Sequence, residues 1–186
     1  AKMLRRGTHP ALGPLPAPFG HEAAGFVAAV GEGTDSVRVG DRVATFGPML
    51  GAYATARNIA ANCLFLIPDN VSDEVAAAGI LKGCTTEFLV ERCAKVQPTW
   101  DVLVHAAAGG VGLMLVQWLK HIGARVIGTV STDEKAVLAR EAGTDHVILY
   151  GKEDVARQVR ELTGGKGVEV TFDGVGRDTW ETSLAA

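Results

Sequence analysis

The chain has 186 residues and a net charge of −3; 47% of its residues are hydrophobic and 21% are charged. These values are ordinary for a globular protein of one large or two small domains, and they favour neither nucleic acid nor an anionic membrane as a partner. The three cysteines contain no C-x-x-C pair, which fits neither a disulfide framework nor a zinc knuckle. We therefore expect reduced thiols and a cytoplasmic location.

The first part of the chain is rich in Gly and Pro, with short Val-rich runs between them. The stretch "GFVAAVGEGTDSVRVGDRVATF" predicts a strand, a Gly-rich turn and a second strand, and "GAYATARNIAANCLFLIPDN" adds further extended segments. We therefore predict a β domain over residues 1–71. The N-terminus lacks the apolar core of a signal peptide, and both ends of the sequence are abrupt, so we expect a fragment of a longer protein.

The pattern of the sequence changes at residue 72. Ser72 is predicted to cap a helix through "DEVAAAGILKGCTTEFLVERC", because acidic residues follow it in the first turn. From residue 101 onward, short apolar strands alternate with helices of about 10–15 residues, and Gly123 and Gly143 close two of these helices. This alternation indicates βαβ units around a parallel sheet, so we predict an α/β domain over residues 72–186.

The most apolar segment, "VLVHAAAGGVGLMLVQWL" at residues 102–119, raises the question of a membrane span. Three clustered glycines, His105 and Gln117 interrupt it. The βαβ pattern also explains its apolar character without a membrane. We therefore interpret it as a strand, a turn and a helix, with His105 as a hydrogen-bonded histidine of the core.

The glycines of this segment follow the spacing G-x-G-x-x-G, with Ala107 in the first place. A small residue at 107 permits a tight exit from the strand, Gly109 lets a pyrophosphate approach the backbone, and Gly112 lets the helix pack closely on the sheet. Free N–H groups and the helix dipole then favour phosphate binding. The position between strand and helix predicts a dinucleotide site; the alternative is a tight turn without a ligand.

The end of the second strand distinguishes NAD from NADP. NAD-binding folds usually carry Asp or Glu there to hold the ribose 2′-OH, whereas this strand ends at Val130 and Ser131. Asp133 and Glu134 come slightly later, where we expect them to begin the next helix. Lys135 is within reach of the same end, and a small polar residue with a cation favours NADPH. The alternative is that Lys135 is a solvated helix lysine.

Four motifs, "LVHAAAGGVG", "ILKGCTTEFL", "LGAYATARN" and "FDGVGRDTWE", together resemble quinone oxidoreductases, the zeta-crystallin branch of the medium-chain dehydrogenase/reductase superfamily. The resemblance runs over nearly the whole chain. It implies an α/β fold, with a partial GroES-like β domain followed by a partial Rossmann domain. It also implies NADPH-dependent hydride transfer to a small-molecule quinone, activated carbonyl or enone, and a homodimer for the full-length protein.

The resemblance also implies cofactor contacts around the glycine turn, at the strand ends that follow it and near the nicotinamide. With Gly109 from the glycine motif, the expected cofactor-binding residues are Thr85, Gly109, Gly110, Val111, Gly112, Ser131, Lys135 and Tyr150. The family often has Gly in place of Ser131 and usually has an aromatic residue in place of Met3. The second departure affects an aromatic residue that would assist the substrate in the family, and no residue of this chain is assigned as an acid–base catalyst.

The segment "GHEAAGFVAAVG" resembles the signature of zinc alcohol dehydrogenases, in which the His is a zinc ligand. A catalytic zinc needs about three protein ligands, but Leu81 occupies the expected cysteine position and Cys84 is out of register. His21 and Glu22 alone are too few, so we predict no metal. The alternatives are a zinc-dependent alcohol dehydrogenase, an enoyl reductase of the same superfamily, or a nucleotide-binding protein without catalysis.

Overall fold

The computed structural model describes residues 18–47 and 50–186. The chain divides into two compact units, Ala1–Leu81 and Lys82–Ala186. The expected domain boundary between residues 71 and 72 stays a prediction, because a compact structural unit and an evolutionary domain need not end at the same residue. Met3, the position of one departure from the family pattern, lies outside the described residues.

The first unit contains a three-stranded antiparallel sheet with the order β1-β2-β3. Its strands are β1 (Glu22–Phe26), β2 (Arg42–Phe46) and β3 (Leu64–Leu66). The register places Ala44 at the centre, opposite Ala24 on one side and Phe65 on the other. Up to residue 71, the described residues contain these three strands and one turn of 3-10 helix at Ala61–Cys63, so the predicted β character is confirmed apart from that turn.

The connection between β1 and β2 is a loop, although "SVRVG" alternates as a strand would. Gly40 adopts a φ of +92°, and its N–H donates to the Val27 carbonyl at 2.8 Å. This bond folds the loop back, so that Val37 is buried with Val27 and Val43 in a small core. The alternation of apolar residues therefore marks a loop that packs inward rather than an additional length of strand.

The helix predicted after residue 72 is present, but it changes character before its expected end. The Ser72 hydroxyl accepts a hydrogen bond from the Val75 N–H at 3.2 Å, which confirms the cap of α1 (Asp73–Glu87). Phe88–Ala94 then forms a π-helical segment that ends at Lys95 in a left-handed conformation. The prediction of one continuous α-helix through Cys93 is therefore wrong.

The second unit contains a four-stranded parallel sheet with the order β6-β5-β4-β7. Its strands are β4 (Asp101–Val104), β5 (Arg125–Val130), β6 (His146–Leu149) and β7 (Val170–Phe172). The order in which successive strands are added reverses at β4, because β5 and β6 lie on one side of it and β7 on the other. Such a reversal is where open α/β sheets bind ligands, at the carboxyl ends of the strands.

Four helices alternate with these strands, as the pattern predicted. They are α2 (Gly110–Ile122), α3 (Asp133–Glu141), α4 (Val155–Leu162) and α5 (Trp180–Ala185). Gly123 closes α2 with a φ of +98°, and Gly143 follows α3 with a φ of +109°, so both predicted helix ends are confirmed. Leu115, Val116 and Leu119 are buried on the inner face of α2.

The apolar segment at residues 102–119 divides into β4, a turn and most of α2. Val102, Leu103 and Val104 are fully buried in the sheet, which accounts for the apolar character of the strand. None of the helices in the described ranges is both long enough and apolar enough to cross a membrane.

Candidate cofactor-binding site

The chain leaves β4 through a tight turn. Ala106 adopts a left-handed conformation with a φ of +52°, which is rare for a residue with a Cβ. The Ala107 N–H donates to the Thr129 carbonyl of β5 at 3.0 Å, and the Gly109 N–H donates to the Ala106 carbonyl at 2.8 Å. These bonds hold the turn on the sheet. The sequence predicted a small residue for this exit at 107, and the left-handed residue is its neighbour.

Gly112 is the glycine of this turn that the packing requires. A Cβ built on it would lie 2.8 Å from the Ala107 carbonyl oxygen and closer still to that of Ala106. Close packing at this glycine, as the motif predicted, is therefore confirmed. Gly109 has an ordinary φ of −79°, and its Cβ would lie 3.1 Å from the Ala106 oxygen. The backbone conformation therefore does not itself require glycine at 109.

The first turn of α2 contains backbone donors without acceptors inside the helix. Gly109 is the N-cap and provides no side-chain cap, and the first helical bond runs from the Leu113 N–H to the Gly109 carbonyl at 2.8 Å. The N–H groups of Gly110, Val111 and Gly112 precede that bond, so the helix itself offers them no acceptor. Together with the helix dipole, they form a positive end suited to a phosphate.

His105 lies beneath the turn. The backbone N–H of His105 donates to the Phe172 carbonyl at 3.0 Å, and the ring Nδ1 is 2.9 Å from the Thr129 hydroxyl. Burial lowers the pKa of His105 below the ordinary value of 6.5, although the nearby Asp173 carboxylate acts to raise it. The imidazole is therefore neutral near pH 7. The prediction of a hydrogen-bonded core histidine is confirmed.

Asp173 organises the loop that follows β7. Its carboxylate accepts hydrogen bonds from the N–H groups of Val175 and Gly176 and from the hydroxyls of Thr179 and Ser183. Desolvation acts to raise the pKa of Asp173, but these donors hold it well below its ordinary range. Sequence reasoning missed this residue. The available signal was an Asp at a strand end followed by small residues, in "FDGVG".

A pocket lies where the glycine turn meets the ends of β5 and β6. It is lined by Ala106, Ala108, Gly109, Val130, Ser131, Lys135 and Tyr150. The Lys135 ammonium donates to the Ser131 hydroxyl at 2.9 Å, so the cation and the small polar residue act as one unit. The Tyr150 side chain is 54% exposed, and its backbone N–H donates to the Val130 carbonyl at 3.3 Å.

The acidic residues after β5 belong to the helix cap, as predicted. The Thr132 hydroxyl accepts a hydrogen bond from the Lys135 N–H at 3.3 Å, and α3 begins at Asp133. A hydrogen bond from the Thr132 hydroxyl also lowers the pKa of Glu134. Neither Asp133 nor Glu134 lines the pocket. At this strand end, where NAD-binding folds usually carry an acidic residue, the residue that lines the pocket is Ser131.

The structure brings most of the expected cofactor-binding residues together. Four of them line the pocket: Gly109, Ser131, Lys135 and Tyr150. Three form the first turn of α2: Gly110, Val111 and Gly112. Thr85 lies on α1 and is not among the described residues that line the pocket, so its expected position near the nicotinamide stays a prediction.

The residues that resemble a zinc signature have other partners. The His21 Nδ1 is 3.1 Å from the Gly47 carbonyl oxygen, and a Glu22 carboxylate oxygen accepts a hydrogen bond from the Leu81 N–H at 3.3 Å. Within residues 18–47 and 50–186, no three His, Cys, Asp or Glu side chains lie close enough to hold a metal. The described residues therefore do not fit a catalytic zinc, which needs about three protein ligands.

Comparison with known families agrees with this fold. The family described as alcohol dehydrogenase GroES-like domain matches residues 1–101, more than half of the chain. The chain belongs to this family. A second family, described as zinc-binding dehydrogenase, matches residues 110–186. The predicted order, a GroES-like domain followed by a Rossmann domain of the medium-chain dehydrogenase/reductase superfamily, is confirmed.

Individual relatives confirm the resemblance to quinone oxidoreductases. The chain is 48% identical to a quinone oxidoreductase of Salmonella typhimurium, over 97% of this chain and 55% of that protein. It is 48% identical to a 2-haloacrylate reductase of a Burkholderia species, over 95% of this chain and 54% of that protein. The structure of an Escherichia coli quinone oxidoreductase complexed with NADPH superposes with a TM-score of 0.94 and 46% identity, over 98% of this chain and 56% of that one. The chain thus spans about half the length of these relatives.

Proposed function

We propose that the protein is an NADPH-dependent oxidoreductase that transfers hydride to a quinone or a related activated carbonyl or enone, without zinc. The observation that carries this proposal is the pocket in which the glycine turn faces the bonded pair Ser131 and Lys135. The similarity to quinone oxidoreductases, one of them solved with NADPH, supports it.

Each part of the site has a separate task in binding the cofactor. The N–H groups of Gly110, Val111 and Gly112 accommodate the pyrophosphate, because they lack helical acceptors and lie at the positive end of α2. The Ser131 hydroxyl and the Lys135 ammonium hold the 2′-phosphate through charge-assisted hydrogen bonds. NADPH, when bound, supplies a hydride from C4 of its nicotinamide.

For hydride transfer to a quinone, the main task of the protein is to position the cofactor and the acceptor. Reduction of a quinone to a hydroquinone takes one hydride from the cofactor and one proton, and the reduced oxygen takes that proton from solvent. For this reason no acid–base catalyst is required.

We also propose domains at residues 1–71 and 72–186. The resemblance to quinone oxidoreductases further suggests a homodimer for the full-length protein, and the cysteine usage suggests a cytoplasmic location.

The proposal is tested by NADPH oxidation with a simple quinone such as p-benzoquinone, with and without a chelator. We expect turnover that the chelator leaves unchanged and far less than one zinc per chain by elemental analysis. Stoichiometric zinc, with alcohol oxidation lost on chelation and restored by metal, would identify an alcohol dehydrogenase instead. Tight NADPH binding with no oxidation by any quinone would identify a nucleotide-binding protein without catalysis.

A second candidate acceptor is an activated alkene. The similarity to a 2-haloacrylate reductase favours this class, since the identity equals that to the Salmonella quinone oxidoreductase. Hydride addition to such an alkene uses the same cofactor site but needs an electron-poor double bond. Parallel measurements of kcat/KM with a quinone and with 2-chloroacrylate decide between the two: the better acceptor is the one with the higher value.

A further inference from the structure

An ion pair lies beside the pocket and belongs to none of the residues expected at the site. The Lys152 ammonium is 3.1 Å from the Asp133 carboxylate. Asp133 is the first residue of α3, between the pocket residues Ser131 and Lys135 in sequence. Lys152 follows the pocket residue Tyr150 in the turn after β6, and its N–H donates to the Leu149 carbonyl. The pair therefore joins the first turn of α3 to the turn after β6, and pocket residues lie close in sequence to both.

The carboxylate of Asp133 opposes the proposed preference for NADPH. A carboxylate near the end of the second strand is the group with which NAD-binding folds hold a ribose 2′-OH, and it repels a 2′-phosphate. Glu134 adds a second carboxylate to the same first turn of α3. Neither carboxylate lines the pocket, but if Lys135 were the sole cation in this region, two carboxylates in the first turn of α3 would outnumber the one ammonium that lines the pocket.

We propose that Lys152 is a specificity-determining residue, which preserves the preference for NADPH by neutralising Asp133. This inference rests on the proposed function and deepens it. Lys152 acts through Asp133 and does not itself hold the cofactor, so it is a positioning residue. Its side chain is 66% exposed and that of Asp133 is 74% exposed, so water screens the pair. The effect is therefore a change in selectivity of a few-fold rather than a loss of binding.

The test measures dissociation constants for NADPH and NADH at low ionic strength in the whole protein. In Lys152→Ala we expect the dissociation constant for NADPH to rise about fivefold and that for NADH to change by less than about twofold. When Lys152→Ala is added to Asp133→Asn, we expect either dissociation constant to change by less than about twofold relative to Asp133→Asn alone. The reason is that the carboxylate which Lys152 neutralises is already gone.

A matched control is Lys166→Ala. Lys166 is also an exposed lysine, but it lies in the loop that leads into β7, at the amino-terminal edge of the sheet and away from the pocket. Lys166→Ala removes the same charge as Lys152→Ala but at a distance from the pocket. We therefore expect it to leave both dissociation constants unchanged. Adenosine 2′,5′-bisphosphate and AMP serve as further probes, because they isolate the 2′-phosphate from the nicotinamide half of the cofactor.

Three results would overturn the inference. Lys152→Ala could leave the ratio of the two dissociation constants unchanged while the unmodified protein prefers NADPH; this result would leave the proposed function intact. It could weaken NADPH and NADH equally, which would show a structural role alone. It could also keep its full effect beside Asp133→Asn, which would show a direct contact with the phosphate. Equal binding of NADPH and NADH by the unmodified protein would overturn the proposed cofactor as well.

Discussion

The two sides of the pocket are built in different ways. The glycine turn, Ala106–Gly112, is held by backbone hydrogen bonds and by carbonyl contacts that leave no room for a side chain at Gly112. The opposite side carries the exposed residues Ser131, Lys135 and Tyr150; a hydrogen bond joins the first two, and the ion pair between Asp133 and Lys152 lies beside them. We infer that the turn determines whether a dinucleotide binds at all, and that the opposite side determines which dinucleotide binds.

The largest effect is expected from Gly112→Ala. A methyl group there would overlap the carbonyl oxygens of Ala106 and Ala107, which are fixed on the sheet, so the helix or the turn must move. We expect the free energy of unfolding to fall by about 3 kcal/mol, measured by urea denaturation. Gly83→Ala on α1 is the control, because its added methyl group meets open space and should be neutral or stabilising. Equal stability of the two variants would contradict the close packing at Gly112.

Gly109→Val separates binding from folding on the same turn. The ordinary φ of Gly109 accepts a branched residue, and the nearest obstacle to its Cβ is the Ala106 oxygen at 3.1 Å. We expect the dissociation constant for NADPH to rise at least about a hundredfold, or about 2.7 kcal/mol, while the fold is largely kept. Calorimetry and urea denaturation of the same preparation check both parts. Normal NADPH binding would show that the pyrophosphate lies elsewhere.

Lys135→Ala tests the side of the pocket that is formed by exposed side chains. In the unmodified protein we expect NADPH to bind at least tenfold more tightly than NADH, a difference of about 1.4 kcal/mol. Removing the ammonium that bonds Ser131 should narrow that ratio mainly by weakening NADPH, since the pyrophosphate donors of α2 are unchanged. The two dissociation constants, measured by calorimetry, provide the check. Equal affinities in the unmodified protein would remove the basis for the preference.

The smallest effect is expected from His105, the titratable residue under the turn. Burial lowers the pKa of His105 in the folded state, so the unfolded chain binds the proton first as the pH falls. The native state therefore loses stability as the pH falls below about 6.5, and it loses none through His105 above that value. In His105→Gln this acid-dependent loss should be smaller. The exposed His121→Gln is the control, and an equal pH dependence in both variants would contradict the prediction.

Much of the chain from Ser72 onward could be predicted because its determinants are local in sequence. The alternation of strands and helices, the cap at Ser72 and the helix ends at Gly123 and Gly143 each follow from a few neighbouring residues. The spacing of the glycines identified the turn, and the residues after β5 identified Ser131 and Lys135 as a pair. These signals are read from short windows, so they need no knowledge of tertiary packing.

The features that the sequence did not reveal depend on contacts between distant residues. The left-handed Ala106 precedes Ala107, whose N–H bonds to Thr129 on a different strand, and the change to a π-helix at Phe88 has no signal in the apolar periodicity. The ion pair between Asp133 and Lys152 joins the start of α3 to the turn after β6, and these become neighbours when β5 and β6 pair. A single sequence contains each of these residues but not their proximity.

The position of β4 in the sheet has a consequence for synthesis of the chain on the ribosome. One edge of β4 pairs with β5, which follows soon after it, but the other edge pairs with β7, where Val170 lies opposite Val102. Until β7 is made, the nascent protein carries an open edge on a strand whose Val102, Leu103 and Val104 are fully buried in the finished sheet. Open strand edges can pair with strands of other chains, so we expect the nascent protein to be exposed to aggregation until β7 covers this edge.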